Sequence, residues 1–228
     1  MDWSPLWISL STAVPATVIT FFLGIYLAHR IISSTGKLRK LFDTLFTLPL
    51  VLPPTVVGFL LLLLFGKNGM IGSRLWDLGI HIVFTRTAAI LAAVVVAFPL
   101  MYRSAKAAFE QLDPKLIFAA RTLGLSETVI FWRVCMPNAL PGIVSGTILA
   151  FARALGEFGA TLMIAGNIPG KTQTMPLAIY MAIQEGSQRE AIIWVLLLIA
   201  LSFLMIYIMG YFSVERRGER GKKNELEG

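Results

Sequence analysis

Five runs of apolar residues, at positions 6–28, 41–65, 87–102, 138–165 and 191–212, leave this chain few ways to fold. A helix needs roughly 20 residues at about 1.5 Å rise each to cross a hydrocarbon core, and four of the runs reach that length. No water reaches the inside of a bilayer to complete backbone hydrogen bonds, so each run must satisfy its own as an α-helix. Composition agrees: 56% of the 228 residues are hydrophobic, 14% are charged and the mean hydropathy is +0.74, more apolar than a soluble domain of this size requires. The expected fold is an all-α polytopic membrane protein with about five transmembrane helices, the run at 87–102 being the shortest.

The twenty Lys and Arg residues sort unevenly against these spans. Fourteen lie after the first span (Arg30, Lys37, Arg39, Lys40), between the third and fourth (Arg103, Lys106, Lys115, Arg121, Arg133) and in the tail (Arg216, Arg217, Arg220, Lys222, Lys223). The alternate connections hold five (Lys67, Arg74, Arg86, Lys171, Arg189), and Arg153 lies within a span. Positive charge concentrates on the cytoplasmic side, so the N-terminus is expected outside, with the middle loop and C-terminus inside. The net charge of +7 then reflects topology and not a nucleic-acid partner. MDWSPLWISL carries no basic n-region, so the first span is not expected to be a cleaved signal. Residues 1–214 read as one transmembrane domain, and 215–228 as a charged, disordered cytoplasmic tail.

Chemistry on the chain itself is not expected. Cys135 is the single cysteine, His29 and His81 sit near span edges, and neither supports a disulfide, a metal site or another cofactor. No nucleophile and base, and no carboxylate pair, is placed for catalysis. The segment AGNIPGKT resembles a phosphate-binding loop, but Ala165 stands where glycine is required, a span precedes it instead of a strand, and it faces outward. Any energy must come from a separate subunit. Two outward connections exceed tight turns. GKNGMIGSRLWDLGIHIVFTR suggests a short surface helix at 74–78, and residues 176–184 an amphipathic stretch that is a surface lid, a docking element or a plain connector. Trp3, Trp7, Trp76, Trp132 and Trp194 fall near span ends, where an aromatic belt lies.

The inner loop at 106–137 has helical periodicity. Asp113-Pro114 starts a helix, with the acid as N-cap and proline at the first position, where its missing N–H costs nothing. Leu116, Ile117, Ala120 and Leu123 would share a face, and Gly124 would close the helix in a left-handed conformation. Ser126 would cap a second helix ending at Pro137. The small Ala119 and Ala120 just before the hinge allow close backbone approach, either into a groove on a cytoplasmic partner or onto the chain's own spans.

Ala119-Ala120, three residues, Gly124, nine residues, then Val134-Cys135-Met136-Pro137 resembles the EAA loop of the permease subunits of binding-protein-dependent ABC importers. Phe118 replaces that motif's acidic first position. Residues 48–72 and 146–180 are similar to the molybdate permeases, with sulfate and tungstate permeases also similar. The resemblance implies the type I ABC importer permease fold. It also implies two permease copies around a shared route, two cytoplasmic ATP-binding subunits seated on the loop at Phe118, Ala119, Ala120, Gly124 and Pro137, and an extracytoplasmic molybdate-binding protein.

Two further features stand out within the spans. Pro49, Pro53 and Pro54 each remove a backbone hydrogen bond from the second span, giving a bent helix or one broken beside a pathway. Arg153 and Glu157, four apart in the fourth span, share a face and can neutralise each other, fixing a subunit interface or serving the pathway or its gate. Gly156 and Gly159 beside them permit close helix approach. A membrane scaffold, an intramembrane enzyme and a secondary carrier are the rival classes. The scaffold would use the basic loop only to dock a cytoplasmic protein, the enzyme lacks a cluster of catalytic polar residues within the spans, and the carrier lacks ionisable groups for ion coupling and has the loop pattern against it.

Overall fold

The computed structural model describes residues 2–32 and 36–226, with side chains as far as residue 208. The chain runs through α1 (Ser4–Ile32), α2 (Lys37–Val51), α3 (Pro54–Phe65), α4 (Gly72–Asp77), α5 (Arg86–Glu110), α6 (Pro114–Thr122), α7 (Glu127–Ile130), α8 (Met136–Leu155), α9 (Gly159–Ala165), α10 (Met175–Gln184) and α11 (Gln188–Leu226). A π turn, Phe131–Cys135, joins α7 to α8. Among the described residues four stretches are each long and apolar enough to cross a membrane alone: α1, α5, Glu127–Leu155 and Gln188–Ile208. The pair α2 and α3 qualifies only together, and it is bent by 113°.

Several expected boundaries move. The short third span becomes the 25-residue α5, because Arg103, Lys106 and Glu110 continue the helix beyond its apolar part. The expected fourth span, 138–165, is interrupted at 156–158 between α8 and α9. Pro137 does not end the second loop helix. The π turn upstream widens the pitch, with the Met136 N–H reaching the Phe131 carbonyl, and Asn138 Nδ2 donates to the Val134 carbonyl at 2.8 Å, so a proline sits inside a continuous helical path. The tail expected to be disordered continues α11 to Leu226, in keeping with the helix propensity of its Glu, Arg and Lys residues.

Helix α5 forms the centre, with α1 and α8 packed along it. Helices in a membrane associate by close packing, so small residues mark their contacts. Ala88, Ala89, Ala92, Ala93, Ala97 and Ala105 of α5 are all fully buried. Gly146 of α8 lies so near α5 that an added Cβ would stand 2.5 Å from Ser104 Cβ. Two apolar clusters result. The larger joins α1, most of α5, α8 and the loop helices; the smaller joins α3, α9 and the first half of α5. Arg86, at the start of α5, donates to the Gly170 and Lys171 carbonyls, so the α4 end of the bundle includes the 166–174 loop, a full helix length from α6.

Candidate functional site

The corner at the α6 end is built as the loop sequence suggests, with one rearrangement. Asp113 Oδ1 accepts from the Lys115 N–H at 2.9 Å and caps α6. Gly124 has φ +75°, and the Leu125 N–H bonds back to the Ala120 carbonyl at 3.2 Å, a left-handed closure that glycine adopts without strain. The expected common face divides: Ala120 is buried and Ile117 packs on the core, whereas Leu116 and Leu123 are exposed. Of the two alanines only Ala119 faces outward. Phe118, where an acid was the motif's norm, is 61% exposed, so the corner presents apolar side chains on two sides, Leu116 and Leu123 on one and Phe118 on the other. Ser126 occupies the N-cap of α7 without a side-chain capping bond. An unforeseen clasp crosses the hinge: Arg121 Nε and Nη2 donate to Glu127 Oε1 and Oε2 at 2.7 and 3.1 Å. The Glu127 carboxylate raises the Arg121 pKa further above its ordinary value.

The second locale is where the two broken spans meet. Leu52 and Pro53 each precede a proline and are both driven out of helical conformation, with ψ 139° and 136°. Pro54 then starts α3 at its first position, while Pro49 stays inside α2 and does not break it. In α9, Gly159 lies against this break: an added Cβ would stand 3.3 Å from both Pro54 Cβ and the Thr55 nitrogen. Gly58 of α3 meets α9 still more closely, 2.7 Å from Ala160 Cα by the same measure. Gly156, by contrast, is exposed and touches no neighbouring helix.

Arg153 and Glu157 are paired, yet they do not share one unbroken helix. Arg153 is in the last turn of α8 and Glu157 in the break. Arg153 Nη1 stands 2.7 Å from Glu157 Oε2, and Glu157 Oε1 accepts from the Ala160 N–H at 2.7 Å. The carboxylate therefore ties the end of α8 to the first turn of α9. It is buried, whereas the Arg153 side chain is 29% exposed.

Sequence reading missed a third cluster. Asp43 of α2 accepts from Tyr102 Oη at 2.8 Å and from Lys106 Nζ at 2.7 Å, and Arg39 pairs with Glu110 at 2.7 Å. These residues lie 59 to 71 positions apart, and the only local signal was Asp43 standing near the start of an apolar run. His29 packs on Phe131 with ring centres 4.5 Å apart, and His81 on Trp76 at 3.9 Å. Trp194 departs from the expected belt: it is buried, edge-on to Trp3.

The helices form a membrane-crossing bundle with two interrupted spans and a hinged two-helix corner at one end. The chain belongs to the binding-protein-dependent transport system inner membrane component family, which it matches over residues 20–218, and it is a multi-pass cytoplasmic-membrane protein of a binding-protein-dependent ABC transporter. It is 44% identical to YvgM of Bacillus subtilis (strain 168) over 208 residues, covering 91% of this chain and 92% of that one. It is 42% identical to the molybdenum transport system permease protein ModB of Escherichia coli (strain K12) over 223 residues, 97% of each chain. Among solved structures, the inward-facing MetNI methionine ABC transporter aligns with TM-score 0.71 at 18% identity, covering 92% of this chain and 93% of that one. A bacterial alginate ABC importer aligns with TM-score 0.76 at 18% identity, covering 94% and 78%. These likenesses carry the fold.

Proposed function

We propose that the chain is the membrane-spanning subunit of an ATP-driven importer of molybdate. The observation that carries this is end-to-end identity of 42%, over 97% of both chains, to a molybdenum transport permease. Two copies enclose one route, since five crossings are few to surround a pathway alone. An extracytoplasmic binding protein delivers the oxyanion at the α4 end, and two ATP-hydrolysing subunits bind at the α6 end.

The residues divide between two roles. The α6 corner, with Phe118, Ala119, Ala120, Gly124 and Pro137 in residues 106–137, is the coupling element. Its support is the exposure of the apolar side chains of Leu116, Phe118 and Leu123 at this corner. Approach of the ATPase subunits pulls the two corners together and rocks the spans. Pro49, Pro53, Pro54, Arg153 and Glu157 belong to the pathway or subunit interface, where interrupted helices meet. Residues 1–214 act as the permease domain and 215–228 as a cytoplasmic extension.

The test is uptake of labelled molybdate by vesicles holding the chain with its ATPase and binding protein, with sulfate and tungstate as competitors. Uptake that requires ATP and is displaced weakly by sulfate is expected. A relative at 32% identity is named a sulfate permease, so stronger displacement by sulfate would move the assignment to that anion. Ala119→Arg is expected to lose the ATPase subunit on copurification; unchanged association would remove the coupling role from this corner.

A further inference from the structure

Helix α8 has two unlike faces. Ala139, Ile143, Gly146, Ala150 and Ala154 are buried. A stripe at helical spacing along the flank of that buried face, Asn138, Pro141, Ser145, Leu149, Arg153 and Gly156, stays wholly or partly open. Lipid-facing helices do not look like this. On α11 the open residues include Ile192, Leu196, Ile199, Phe203, Ile206 and Tyr207, large and mostly apolar. An arginine within a span is costly against acyl chains and faces water or protein instead. One end of the α8 stripe enters a cleft of about 550 Å³, where Asn138 and Ser145 meet Ser104 and Gln111. The other end reaches Arg153 at the α8–α9 break.

We infer that this stripe lines the transport route and that Arg153 is the residue that touches the tetrahedral oxyanion on its way through. The inference rests on the reading of the chain as an oxyanion permease. A guanidinium presents a planar fork of N–H donors that matches two oxygens of a tetrahedral anion. Among the described contacts Arg153 is held by an ion pair alone, Nη1 at 2.7 Å from Glu157 Oε2, and the side chain keeps 29% of its surface open. Glu157 does not repel the anion face to face, because it is 2% exposed and its other oxygen is bonded to the Ala160 N–H. The clamp fixes the guanidinium and balances its charge. An anion is therefore held weakly enough to leave, as conduction requires.

The experiment uses the complete complex in proteoliposomes with its binding protein and labelled molybdate. Per assembled complex, R153Q is expected to take up about tenfold less, the weight of one charge-assisted hydrogen bond, and R153K to lie between it and wild type. Equal uptake by R153Q and wild type overturns the inference and leaves the permease reading standing; no molybdate uptake by wild type overturns that reading itself. A second measurement does not depend on the arginine variant assembling. Leu149→Cys is expected to react with a water-soluble, anionic methanethiosulfonate and to be protected by molybdate; the native Cys135 is buried. Where R153Q assembles, it should slow the anionic reagent at that cysteine and leave a neutral reagent unchanged, which a purely structural arginine would not do. A Leu149→Cys thiol that resists water-soluble reagents and reacts only with a membrane-soluble maleimide places the stripe in lipid and overturns the inference.

Discussion

Single residues show how two glycines can matter for opposite reasons. Gly124 needs its φ of +75°, but nothing lies within 4 Å of where a Cβ would stand; Gly58 has ordinary backbone geometry and no room, with Ala160 Cα 2.7 Å away. Gly124→Ala is expected to cost about 1 kcal/mol locally, from the left-handed conformation alone, and to raise amide exchange in residues 114–130. Gly58→Val forces α3 from α9 against backbone, at a cost of about 1–3 kcal/mol, and should lower the thermal midpoint in detergent. An unchanged midpoint would mean that α3 and α9 do not meet as described. Gly124 was legible because its spacing from Asp113-Pro114 and Pro137 marks a cap. Gly58 was not, since no neighbour in sequence records which helix will face it.

At the scale of elements, α2 is the least secured. None of its residues is buried, and its hold on α5 consists of the Asp43 and Arg39 contacts plus Phe46, whose ring centre lies 5.6 Å from that of Phe98 and 5.3 Å from that of Tyr102. Asp43→Asn keeps an acceptor for Tyr102 but removes the charge facing Lys106. It is expected to weaken docking by about 1 kcal/mol and to raise proteolysis or exchange in residues 37–51 while α5 is unaffected. Equal protection of α2 in the variant would show that the aromatic contacts suffice. The Pro53-Pro54 break between α2 and α3 was readable because two successive pre-proline residues cannot both be helical. The break between α8 and α9 was hidden. Arg153 and Glu157 at i and i+4 fit one helix as well as they fit a bridge across a gap, and only the Glu157 bond to Ala160 distinguishes the two.

For the whole molecule, the basic residues of the α6 end predict its side of the membrane. A cysteine at Ser73 in α4 is expected to label from outside intact cells, and one at Lys115 in α6 only after permeabilisation; the reverse pattern would invert the topology and the coupling scheme with it. The sequence by itself determined that this chain is a helical membrane protein, roughly which stretches are apolar enough to cross and that a capped, hinged corner separates the third and fourth, because hydrocarbon forces local backbone bonding and caps are local chemistry. The spacing of that corner's motif also carried the family. Tertiary structure alone decided that the two interrupted spans meet at Gly58, Gly159 and Pro54, that Asp43 joins Tyr102 and Lys106, and that α8 keeps a stripe open from Asn138 to Arg153. Those facts depend on which helix faces which, and packing between spans far apart in sequence leaves no periodic trace in any one of them.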